Sequence, residues 1–105
     1  GNGFAEKLYD STGAYQGRID IKGNIYNNTG AYQGRIDRTG KRFDSKGSYL
    51  GRSDSNGNFY GRTGSYQGRV DENGNAYQST GRYKGRIDKN GNMYGNTGSY
   101  RGSIR

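Results

Sequence analysis

The apolar positions of this chain recur on one fixed interval. Tyr9, Tyr26, Phe43, Tyr60, Tyr77 and Tyr94 stand 17 residues apart, and so do Tyr15, Tyr32, Tyr49, Tyr66, Tyr83 and Tyr100. All eleven tyrosines fall in these two registers. A strict internal period sets the architecture before any other signal does. The six units read approximately Y-x-x-T-G-x-Y-x-G-R-I-D-x-x-G-N-x, with full examples beginning at Tyr26 and Tyr77.

Each unit is read as carrying two turn signals of the form D-x-x-G, such as Asp10 to Gly13 and Asp20 to Gly23, although Asn27, Gly61, Gln78 and Gly95 stand in the Asp position of four of them. There the Asp accepts from nearby backbone donors and the Gly takes positive φ, the chemistry of a type I turn with a G1 bulge. The turn glycines alternate at spacings of 10 and 7 residues, which leaves a longer strand such as 14–19 and a shorter one such as 24–26. Twelve short antiparallel strands follow. The density of Gly and the absence of a 3.6-residue pattern exclude helices.

Parity of side chains sharpens this picture. With these turns Ile19 faces Ile25, Arg18 faces Tyr26, and Tyr26 faces Tyr32 across the next turn. Strict alternation would then flip the aromatic face from one repeat to the next. One extra residue in each longer strand repairs the parity, and Gly17, Gly34, Gly51, Gly68, Gly85 and Gly102 are read as the bulges that supply it. One face then carries Tyr15, Arg18, Tyr26 and their repeats. The other carries Ile19, Ile25, Ile36, Phe59, Val70, Ile87, Met93 and Ile104, and is expected to be the buried one.

The expected fold is therefore all-β: six tandem 17-residue β-hairpin repeats in an antiparallel meander, over a single domain of residues 1–105. A meander keeps equivalent Arg residues about twice the 4.8 Å spacing that a one-coil-per-repeat solenoid would impose, and so limits their repulsion. The chain starts on a short strand and ends on a long one, so its ends can pair into a closed, propeller-like ring. An open superhelical ribbon, capped by residues 4–8 or by another subunit, is the alternative.

Composition changes the picture in three ways. Hydrophobic residues make up 27% of the chain and Gly occupies 21 of 105 positions, so a thick aliphatic core cannot be assembled. With 17 Lys and Arg against 9 Asp and Glu, the net charge of +8 favours anionic partners. There is no Cys and no His, which removes disulfides, thiolate chemistry and the commonest general base and metal ligand. No apolar run approaches a membrane span.

The remaining acids lie in turns, where capping accounts for them, rather than as a convergent catalytic pair, so the chain is expected not to be an enzyme. One acid per turn is likewise a hydrogen-bonding cap rather than a Ca²⁺ site, and no cofactor or metal is expected. What is left is a repeated surface whose candidate ligand-binding residues are Tyr15, Tyr32, Tyr49, Tyr66, Tyr83 and Tyr100 with Arg18, Arg35, Arg52, Arg69 and Arg86. Flat Tyr rings pack on sugar faces while Gln16, Gln33, Gln67, Asn27 and Asn28 can bond hydroxyls, and many weak sites gain strength together. Tyr interleaved with Arg equally suits single-stranded nucleic acid. A self-assembling structural repeat without a ligand, and so a homo-oligomer, is the third alternative.

Tyr15, Gly17 and the turn glycines Gly13 and Gly23, repeated along the chain, resemble the short Tyr- and Gly-rich hairpin repeats of bacterial cell-wall-binding (choline-binding-like) proteins and the Y-x-G of MORN repeats. The period here is shorter than in either family, and Trp is absent. The resemblance implies surface attachment or scaffolding, and with it an extracellular or cell-surface location.

Overall fold

The computed structural model describes residues 5–105. It contains twelve strands: β1 (Glu6–Asp10), β2 (Tyr15–Ile19), β3 (Asn24–Asn27), β4 (Tyr32–Ile36), β5 (Lys41–Asp44), β6 (Tyr49–Ser53), β7 (Asn58–Gly61), β8 (Tyr66–Val70), β9 (Asn75–Gln78), β10 (Tyr83–Ile87), β11 (Asn92–Gly95) and β12 (Tyr100–Ile104). Every strand is antiparallel to its neighbour in sequence, and β1 also pairs with β12, so the meander closes into a ring. The extents of 35 × 33 × 22 Å describe a squat one. The alternative of an open ribbon is set aside by the seam itself. Leu8 faces Ile104 and Tyr9 faces Ser103, while Lys7 and Arg105 exchange backbone hydrogen bonds of 2.6 and 2.8 Å. Glu6 to Leu8 belong to β1, the strand that makes this seam, rather than to a cap, and Phe4 lies outside the described residues.

The turns form for the reason their composition suggests. At the β2–β3 turn the Gly23 N–H donates to the Asp20 carbonyl at 3.0 Å, and the Lys22 and Asn24 N–H groups both donate to the Asp20 carboxylate at 2.9 Å. The eleven turn glycines all sit at φ between +84° and +89°, a region that Gly enters without steric cost. The acid proves dispensable, which corrects the expectation of an Asp at every turn. Asn27 supplies an amide oxygen in the same role. Gly61 and Gly95 have no side chain to offer, yet Gly64 and Gly98 still donate to their carbonyls at 3.0 Å.

Register follows the parity argument: Arg18 faces Tyr26, Ile19 faces Ile25, and Tyr26 faces Tyr32. The compensating bulge is present in every longer strand, with its residues divided differently than expected. Tyr9 faces Tyr15 and Leu8 faces Gly17, so the residue passed over is Gln16, and Gly17 keeps partners on both sides. The glycine supplies the backbone geometry instead, at φ +123° to +149° across the six repeats. It also supplies space, since a Cβ on Gly17 would run into the Tyr26 carbonyl oxygen of the neighbouring strand.

The two faces of the ring differ in curvature. Leu8, Ile19, Ile25 and Ile104 share one recess with Gln33, which brings β12 and β4 to the same space across the intervening strands. Arg42, Phe59, Val70, Ala76 and Lys84 share another that runs from β5 to β10. Side chains so many strands apart can line one recess only on a concave surface, so the aliphatic face lines the lumen and the Tyr/Arg face is outside. This lumen is not the buried core that the sequence led us to expect. No hydrophobic residue among those described is fully buried, and Leu8 remains 38% exposed. About eight strands give a barrel whose interior side chains just fill it, and twelve give one too wide to fill.

Candidate functional site

The outer face is a belt of six aromatic clusters, each assembled across three strands. In the first complete one, Arg18 of β2 lies over the ring of Tyr26 of β3 at 4.2 Å from its centroid, and Tyr26 meets Tyr32 of β4 with centroids 5.8 Å apart. Register dictates this grouping, because Arg18 and Tyr26 are directly opposed and so are Tyr26 and Tyr32. Arg35, Arg52, Arg69 and Arg86 repeat it over Phe43, Tyr60, Tyr77 and Tyr94 at 4.5 to 5.0 Å. The second tyrosines, Tyr49, Tyr66, Tyr83 and Tyr100, stand 5.8 to 5.9 Å from those rings at interplanar angles of 58° to 62°.

The structure thus brings the named arginines and tyrosines together, but not strand by strand. Arg18 shares its cluster with Tyr32 rather than with Tyr15, and the two are joined by Tyr26, which the candidate set left out. Tyr26 and its repeats are the half-buried middle of each sandwich, with an arginine over the ring and a tyrosine beside it. The outward platforms are Tyr15, Tyr32, Tyr66, Tyr83 and Tyr100, each 37 to 41% exposed, while Tyr49 is half-buried. The period already marked the Tyr26 series, and the cross-strand pairing was the further signal that it belongs to the site.

The sixth cluster was missed for a different reason. The position equivalent to Arg18 in the last repeat is Ser103, which leaves Tyr9 and Tyr15 without their expected arginine. Arg105 fills the place from two residues beyond. Its guanidinium lies 5.5 Å from the Tyr9 centroid, and its Nε–H donates to the Ser103 hydroxyl at 3.1 Å, which accompanies full burial of that serine. No repeat template would assign Arg105 this role, because its place in the 17-residue unit is the one that Asp20, Asp37, Asp54, Asp71 and Asp88 hold.

Between two of the clusters the outer surface holds an open groove. This groove of about 440 Å³ is lined by Tyr66, Arg69, Tyr77, Gln78, Ser79 and Thr80. It combines aromatic edges, a guanidinium, an amide and two hydroxyls, an inventory of donors and acceptors beside apolar rings.

The acids stay with the turns. All seven aspartates are held below the usual carboxylate range by hydrogen bonds they accept. The Asn24 backbone N–H is the largest cause for Asp20, and the Thr12 hydroxyl is the largest for Asp10. A carboxylate with a lowered folded-state pKa stabilises the fold above its unfolded value, and that stabilisation is lost as pH falls through the folded value. The melting midpoint is therefore expected to hold from pH 7 to about pH 5 and to fall below about pH 4. Converting Asp20, Asp37, Asp54, Asp71 and Asp88 to Asn, which can accept as Asn27 does, should flatten that acid limb in a pH series of thermal melts. Among the described residues no group of acids converges as a metal site, and no helix is long and apolar enough to cross a membrane.

No protein-family model matches this chain, and no curated protein matches it. Among solved structures, a chain of the GtfA/B complex bound to UDP and GlcNAc aligns at 11% identity and a TM-score of 0.19. The alignment covers 81% of this chain and 18% of that one, a likeness too slight to support an argument about fold or function.

Proposed function

We propose that the protein is a non-enzymatic binding module that recognises a glycan, as a repetitive polymer, through its outer Tyr/Arg belt. The observation that carries this reading is the cluster geometry. Each arginine already covers one aromatic ring, so the guanidinium holds the platform in place and the second tyrosine is left to offer a partly exposed ring. The groove beside Tyr66 and Tyr77 adds Gln78, Ser79 and Thr80, which suits polyhydroxylated ligands. Equivalent sites repeated around a ring suit a ligand that itself repeats, because linked weak contacts multiply.

The test is affinity electrophoresis against soluble glucan and chitin oligomers, with the protein and its Tyr15→Ala, Tyr32→Ala, Tyr66→Ala, Tyr83→Ala quadruple variant. Retardation of the native protein is expected, with at least a tenfold weakening in the variant and an unchanged circular dichroism spectrum. Absence of glycan binding, together with tight binding of oligo-dT that collapses between about 50 and 200 mM salt, would transfer the belt to nucleic acid.

A further inference from the structure

The two apolar registers that face the lumen are interrupted in one place. The positions facing it in the Ile25 register are Leu8, Ile25, Arg42, Phe59, Ala76 and Met93, and in the Ile19 register Ile19, Ile36, Ser53, Val70, Ile87 and Ile104. Ten of these twelve are apolar. The two exceptions, Arg42 and Ser53, lie on the neighbouring strands β5 and β6.

Arg42 is not turned out to water. It lies across Gly51, where a Cβ would stand 2.8 Å from its Nη2. That Nη2 donates to the Tyr60 carbonyl at 3.1 Å, and the guanidinium sits 5.5 Å from the Phe59 centroid. Its Nη1 is buried and has no hydrogen-bond partner. A buried donor of this kind is rare in folded proteins and calls for an acceptor, either lumen water or a bound group. On one side of Arg42 the two registers stay apolar through Ile36, Ile25, Ile19, Leu8 and Ile104, and a largely apolar recess of about 270 Å³, lined also by Glu6, Asn27 and Gln33, occupies part of that arc. On the other side lies a recess of about 350 Å³ that Arg42 itself lines with Phe59, Val70 and a second cation, Lys84.

We propose that the lumen binds a single-chain anionic amphiphile of the fatty-acid class, its chain along the aliphatic arc and its carboxylate on Arg42. Charge fixes the orientation. Glu6, the acid that lines the apolar recess, is on β1, four strands from Arg42. Asp44, two residues along from Arg42, spends its carboxylate on the Lys46 and Ser48 N–H groups of its turn, each at 2.9 Å. The site uses the opposite face of the sheet from the outer belt, so it stands or falls independently of glycan binding.

Decanoate and decanol, matched in chain and different in head, test it by isothermal titration calorimetry below the concentration at which decanoate forms micelles. Saturable decanoate binding at least tenfold tighter than decanol is expected, with nuclear Overhauser contacts from the chain to the Ile25 and Ile36 methyls. Arg42→Met should remove the preference while the circular dichroism spectrum is retained. Equal affinity for the two probes in the native protein, no saturable binding of decanoate, or a preference that survives Arg42→Met would each overturn the proposal. The native comparison needs no variant to fold.

Discussion

Gly68→Ala is expected to lower the free energy of unfolding by about 3 kcal/mol, at the top of the range for a strained backbone position. The residue sits at φ +123°, and a Cβ there would meet the Tyr77 carbonyl oxygen of β9. That oxygen belongs to the sheet and cannot move aside without displacing the strand. Gly64→Ala provides the internal control, because its φ of +89° is equally left-handed while the space around a new Cβ is empty. It should cost only about 1 kcal/mol, the conformational share alone. Gln67, the residue that the register passes over, should tolerate Ala within about 0.5 kcal/mol. Urea melts of the three variants read the order directly. Equal losses at Gly64 and Gly68 would mean that the approach to Tyr77 is not what reserves this position for glycine.

The same contrast explains which parts of the molecule were legible in the sequence. Tyrosines spaced by 17 fixed the repeat, and D-x-x-G fixed the turns well enough that Ile19 against Ile25 and Tyr26 against Tyr32 could be paired in advance. Parity demanded a bulge near Gly17, but it could not say whether Gln16 or Gly17 would lose its partner, because either choice restores the alternation. Curvature was not legible at all, since both faces alternate equally well and only closure makes one concave. The expectation of a buried aliphatic stripe failed for that reason: local pattern reports which residues share a face, not how far away the opposite wall lies. Within the site, Arg18 and Tyr32 were named as binders without the ring of Tyr26 that joins them. Arg105 could be found only after β1 and β12 were known to meet.

Removal of β12, residues 100–105, is expected to do more damage than removal of nearly three times as many residues from the middle of the chain. A ring of sequentially antiparallel strands closes antiparallel only when their number is even. Without β12 the eleven remaining strands would bring β1 and β11 together in parallel, and the seam that pairs Leu8 with Ile104 and Lys7 with Arg105 cannot re-form. Two unpaired edges are then exposed, each a template for another chain. Sedimentation should show concentration-dependent assembly, and cooperative unfolding should be lost. Deletion of residues 61–77 is the contrasting variant. It removes one period and joins Tyr60 to Gln78 in the register that Tyr77 held, which leaves ten strands, the same turns and the same seam. That protein should stay monomeric and fold cooperatively around a narrower lumen, with one cluster fewer on its belt. If the shorter deletion is the better tolerated of the two, closure of the ring is not what holds the fold together, and nearest-neighbour hairpin pairing alone suffices.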